Sequence, residues 1–267
     1  MIAIVCLWVA AQMLFLGSIE QNRAQDLLYQ ELRYTLAGPP DKAPPLGPVV
    51  PVGDPVALLT IPSIGVEQVV VEGTASGDLL AGPGHRRDTP LPGQVGTSVV
   101  YGRATTYGGP FRDLTELRAG DRIEVTSAQG TKVYTVSDVR RSGDPLPQPL
   151  TDGAGRLTLV TAEGSGRLGA ITPDTVVYVD AETKKAFPAP PGRPVAVPDS
   201  EKAMAADPGA LPVLALCLAL LLALTLGVVA ARQRWSTVLV WVVATPLAIA
   251  LSWVSTDVVM RLLPNLI

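Results

Sequence analysis

Three strongly apolar runs free of charged side chains stand out along the chain, at 1–17, 211–230 and 237–254, with a long, more polar stretch between the first two. The second and third runs are each long enough to form a helix that crosses a bilayer, and the first sits near the lower limit. The third is expected to continue helically to 258, leaving 259–267 as a tail. Arg232 and Arg234 fall in the short loop 231–236. The positive-inside rule makes that loop cytoplasmic, which predicts three spans, Met1 inside and the polar middle outside. A cleaved signal peptide is the competing reading of 1–17. It calls for a basic leading segment and a small-residue cleavage site, and neither is evident, so an uncleaved anchor is expected. Pro246 in the last span is tolerable in a membrane helix.

After the first run, Leu27, Leu28, Leu32 and Leu36 recur at helical spacing, predicting a polar helix over 18–37 that stops at Gly38. Residues 38–55 and 183–210 are Pro-rich and read as extended spacers. Between them, 56–182 changes character. The segments 56–61, 66–73, 97–102, 121–127, 131–140, 156–162 and 174–181 are rich in Val, Ile, Thr and Tyr, and Gly, Pro and Asp clusters separate them. AQGT at 128–131 signals a hairpin. Seven or eight short strands without long helices predict an all-β, closed β-barrel with short helices, because an open sheet would leave its edges unpaired.

Composition narrows the chemistry. Hydrophobic residues make up 48% of the chain, concentrated in the apolar runs, and the net charge of -3 with no basic stripe argues against a nucleic-acid partner. The two cysteines, Cys6 and Cys217, lie in apolar runs, and His85 is the only histidine. The polar middle therefore holds no cysteine nucleophile, no Cys/His zinc cage and no CxxC redox pair. No tight carboxylate cluster stands out, so neither a metal nor another cofactor is expected. Ala215, Ala219, Ala223 and Gly227 recur every four residues, a stripe of the kind that packs membrane helices together.

Five stretches occur in a telling order: IPSIGVEQVVVEGT (61–74), GPGHRRDTPLPGQVGTSVVYGR (82–103), PFRDLTELRAGDRIEV (110–125), TKVYTVSDVR (131–140) and LTLVTA (157–162). Together they resemble the sortase family, and within it the actinobacterial class E type. The resemblance implies a sortase-like barrel over 56–182. In that family a cysteine thiolate attacks the Thr–Gly bond of a cell-wall sorting signal to give a thioester. A histidine moves the proton, and an arginine stabilises the oxyanion. On the matching positions this chain has Arg103 where the family has histidine and Ala162 where it has cysteine. The last strand, DTVVYVD, lacks the arginine, and Arg167 in the preceding loop is the candidate remnant. His85 belongs to the GPGH motif and is expected to shape a loop.

The resemblance thus implies a degenerate, catalytically inactive sortase-like membrane protein. Its extracytoplasmic domain would bind an extended peptide or assemble with a cell-envelope protein, through Arg103, Thr161, Glu163 and Arg167. An Arg103–Glu163 ion pair is expected to cap the vacated site. The alternative is a cysteine-independent transpeptidase or hydrolase acting on sorting signals, with Thr161 or Ser165 as nucleophile and Glu163 as base.

Overall fold

The computed structural model describes residues 16–38, 44–164, 173–233 and 235–267. Eight strands follow the helix α1 (Gly17–Leu36): β1 (Pro55–Ile61), β2 (Val66–Glu72), β3 (Gly84–His85), β4 (Gly96–Tyr101), β5 (Arg122–Ser127), β6 (Gly130–Arg141), β7 (Gly155–Glu163) and β8 (Thr175–Thr183). They close into a barrel in the order β1-β2-β3-β4-β7-β8-β6-β5, so the sheet has no free edge. The pairings β2–β3 and β4–β7 are parallel, and the rest are antiparallel. The expected hairpin joins β5 to β6, with Ser127 opposite Gly130.

Strand alternation sorts side chains onto two faces. Leu59, Val100, Ile123, Tyr134, Leu157 and Leu159 belong to the cluster that fills the barrel. Tyr101, Val160 and Ala162 point the other way, into a second cluster with Leu79 and Leu266. β7 is consequently buried along its whole length up to Ala162. This explains its near-continuous run of apolar residues and threonine, since a strand covered on both faces has no solvent side to keep polar.

Three expectations change. β3 is an eighth strand formed by the GPGH motif itself. There His85 Nδ1 lies 2.8 Å from Glu72 Oε2, and its Nε2 lies 2.9 Å from the Pro90 carbonyl. Next, the helix expected over 18–37 spans Gly17–Leu36 and docks through polar side chains, for Leu27 and Leu36 are exposed and, of its leucines, only Leu32 is buried. Gln25 donates to the carbonyls of Val69 and Ala81 and accepts from the Val69 amide, while Gln21 donates to Gln68. Lastly, 183–210 is not simply an extended spacer. Phe187 exchanges backbone hydrogen bonds with Gly93 and Val95, and Arg87 pairs with Glu201.

Two helices among the described residues are long and apolar enough to cross a membrane, where three were expected. They are α2 (Leu211–Ala231) and α3 (Thr237–Arg261), which pack against each other and leave most of their apolar side chains exposed. Exposed apolar surface of that extent suits lipid. Residues 1–15 of the expected first span lie outside the described residues. Ala223 and Gly227 of the small-residue stripe line a groove shared with Val240 and Ala244 of α3. α3 is tied to the rest at its far end, where Trp253 donates to Glu20 of α1 and Tyr107 donates to Asp257 at 2.8 Å.

Removing one partner of a buried hydrogen bond leaves the other group unsatisfied, at a cost of about 1–3 kcal/mol. His85→Ala should therefore destabilise the fold by at least roughly that amount, read as a fall in the thermal unfolding midpoint of the detergent-solubilised chain, because Glu72 and His85 are hydrogen-bonded and both nearly solvent-free.

Candidate functional site

The parallel ladder of β4 and β7 builds the site. Tyr101 lies opposite Val160 in register, and the Gly102 amide donates to the Val160 carbonyl at 2.9 Å. Thr161 Oγ1 then donates to the Gly102 carbonyl at 3.0 Å. One register step further, Arg103 and Ala162 leave the ends of neighbouring strands side by side. Gly102 is required here, since a Cβ at that position would sit 2.3 Å from the ring of Phe111.

Arg103 is fully buried, with 0% of its surface exposed. Its Nη1 donates to Thr106 Oγ1 at 2.9 Å and to the main-chain oxygen of Ile267 at 3.0 Å. Its Nη2 donates to the carbonyl and the hydroxyl of Ser76, both at 2.8 Å. The Tyr107 ring lies 5.7 Å from the guanidinium carbon. Burial pulls the guanidinium pKa down to about 10, with Tyr107 acting in the opposite direction, so the group remains cationic at neutral pH.

Ala162 presents only a methyl group, packed into the cluster that contains Leu266. Thr161 is buried, with its hydroxyl donated to Gly102. Glu163 faces away. Its Oε2 accepts from Arg141 Nε at 2.9 Å in a pair that is about half exposed, so the expected Arg103–Glu163 cap does not form. The reason is the strand period, which sends Ala162 and Glu163 to opposite faces. Arg167 and Ser165 lie outside the described residues.

Residues that the sequence did not single out close the site. The turn 73–81 supplies Ser76, and the loop after β4 supplies Thr106. Of residues 259–267, expected to be a tail, the first three continue α3 to Arg261, and 262–267 fold back from it so that Asn265 and Leu266 are completely buried. Thr106 Oγ1 also donates to the Ile267 oxygen, and the Ala104 amide donates to the Leu266 carbonyl at 3.0 Å. Asn265 Nδ2 donates to the carbonyls of Thr74 and Lys202. Ser76 Oγ shares its one hydroxyl proton between the carbonyls of Leu263 at 3.0 Å and Met260 at 3.2 Å. No local signal marks these residues, because their partners lie far away along the chain.

The turn carries one perturbed carboxyl. Asp78 accepts from the Ala75 amide, and a Cβ on Gly73, at φ +106°, would lie 2.6 Å from its Oδ2. Burial first, and then Glu201 nearby, push its pKa from 3.8 up to about 6, against the opposing Ala75 amide, Arg87 and Arg261. Among the described residues, no group of three His, Cys, Asp or Glu side chains is arranged to hold a metal ion.

Residues 59–182 match the family model described as Sortase domain. Over 84 residues the chain is 34% identical to Sortase D of Bacillus subtilis (strain 168), an alignment covering 32% of this chain. The chain spans about two-fifths (41%) of that relative's length. Among solved structures it is similar to a Sortase D5 transpeptidase of Clostridium perfringens, at 23% identity and a TM-score of 0.48, covering 62% of this chain and 99% of that one. It is also similar to the SrtA sortase of Actinomyces oris, at 27% identity and a TM-score of 0.42, covering 53% and 86%.

Because the folded chain holds the Asp78 proton more tightly than the unfolded chain, stability should fall as pH rises from about 4 to about 6. Asp78→Asn should raise the unfolding midpoint at pH 8 and leave it nearly unchanged at pH 4. Parallel thermal melts of the two proteins across that range check this.

Proposed function

We propose that this chain is a non-catalytic member of the sortase family, akin to the actinobacterial class E type, and works as a membrane-held binding or assembly module. One observation carries the reading: the positions where the resemblance places the family's histidine and cysteine hold a buried arginine and an alanine, and a folded segment of the chain covers them. A guanidinium that stays charged is no proton shuttle at neutral pH, and a methyl group is no nucleophile. Thr161, the alternative nucleophile, donates its hydroxyl to a backbone carbonyl, and Glu163, the base expected for it, is engaged with Arg141 on the other face. His85 does not serve either, since both ring nitrogens face oxygen acceptors within the barrel wall.

In this reading α2 and α3, together with the apolar run at 1–17, hold the protein in the cell membrane. The basic loop between α2 and α3 lies in the cytoplasm, and the barrel lies outside. The ligand class is an extended peptide or a segment of an envelope protein, recognised through Arg103 and the surface beside Ala162, with Arg167 as a further candidate.

The purified full-length chain, incubated with sorting-signal peptides and an amine acceptor, should yield no cleavage and no acyl-protein adduct by mass spectrometry. Turnover that Thr161→Val abolishes would replace this reading with a hydroxyl-dependent hydrolase or transferase.

A further inference from the structure

The segment beyond α3 occupies the place where a peptide would have to bind. It leaves the helix after Arg261, and Pro264 lacks the amide needed to continue the helix. Its Leu266 side chain packs in the cluster with Ala162, and its main chain is read at four residues. The Leu263 carbonyl accepts from Ser76 Oγ, the Leu266 carbonyl accepts from the Ala104 amide, the Ile267 oxygen accepts from Arg103 and Thr106, and the Asn265 amide donates to the Ala205 carbonyl. Among the described residues, two buried atoms of the contact have no hydrogen-bond partner, Arg103 Nε and Asn265 Oδ1. The fit is thus extensive but incomplete, as suits an occupant that can leave.

We propose that Leu263–Ile267 is a self-docked latch: the site beside Ala162 is a receptor for an extended Leu-Pro-Asn-aliphatic-aliphatic segment, and its resident ligand is the chain's own. The inference rests on the reading of the barrel as a binding module and names that module's occupant. Its consequence is mechanical. The latch continues directly from α3, so the position of the membrane hairpin determines whether the receptor is filled or free. Arg103 reads main-chain oxygen, whereas Asn265 and Leu266 supply the side-chain recognition. A segment of the same pattern from another protein binds only when the latch is out. The apparent affinity for it is reduced by the fraction of molecules in the latched state.

The test uses the full-length chain in lipid nanodiscs and a fluorescent peptide, Leu-Pro-Asn-Leu-Ile, linked at its amino end. Replacing 263–267 by Gly-Ser-Gly-Ser-Gly should tighten peptide binding at least about tenfold over the unaltered chain, and adding Ser76→Ala should weaken it again. A photo-crosslinking residue at Leu266 of the otherwise unaltered chain should attach to Leu79, 100–104, 160–162 or 203–204 of the same molecule. Crosslinks elsewhere, or binding no tighter after the replacement, would overturn the latch. Crosslinks to a second copy would overturn it in favour of exchange between molecules. Should the replaced chain unfold, the crosslink alone decides. Peptide cleavage in the same samples would refute the non-catalytic reading while leaving the crosslink result to judge the latch.

Discussion

The burial of one guanidinium governs this end of the molecule. An ion taken out of water costs several kcal/mol even after the protein relaxes. Arg103 is tolerated only because Ser76, Thr106 and Ile267 meet its two terminal nitrogens with oxygen. A hydrogen bond to a charged group contributes about 1.5–3 kcal/mol, so the loss of a single acceptor is felt. The turn 73–81, the loop after β4 and the segment beyond α3 are thereby bound to one another through a single side chain. Where an open catalytic cleft would leave these groups to solvent, the arginine makes their closure a condition of its own burial.

The ladder between β4 and β7 makes this possible. Parallel neighbours end at the same rim of a barrel, so the residues following the last paired rungs, Tyr101 and Val160, emerge together. Chemistry needing two side chains from distant parts of the sequence is easily assembled at such a rim. The same geometry serves a closed contact when the side chains are arginine and alanine. Alternation along β7 then separates the consequences. Leu157 and Leu159 hold the barrel, Val160 and Ala162 face the covering segment, and Glu163 returns to the opposite side to meet Arg141.

Much of this was legible in the sequence, and the failures have physical causes. Seven of the eight strands announce themselves through runs of β-branched residues. β3 does not, because two residues are too few for a period, and only its pairing with β2 and β4 makes it a strand. The neighbouring positions of Arg103 and Ala162 could be inferred from the order of the motifs. Their surroundings could not, since Ile267 and Arg103 are 164 positions apart and neither carries a local signature of the other. The helix over Gly17–Leu36 was visible as a period of leucines, yet the docking is done by Gln21 and Gln25. A hydropathy pattern records apolar burial and is blind to a glutamine satisfying a strand's amide and carbonyl.

Residues 263–267 close the rim beside Arg103, and the Ala104 amide reports on that closure directly through its bond to the Leu266 carbonyl. Hydrogen exchange of that amide in the nanodisc-embedded chain should be slow, and should accelerate to the rate of an open loop when 263–267 is replaced by glycine and serine. Fast exchange in the unaltered chain, or protection that survives the replacement, would mean that residues 263–267 do not close the rim.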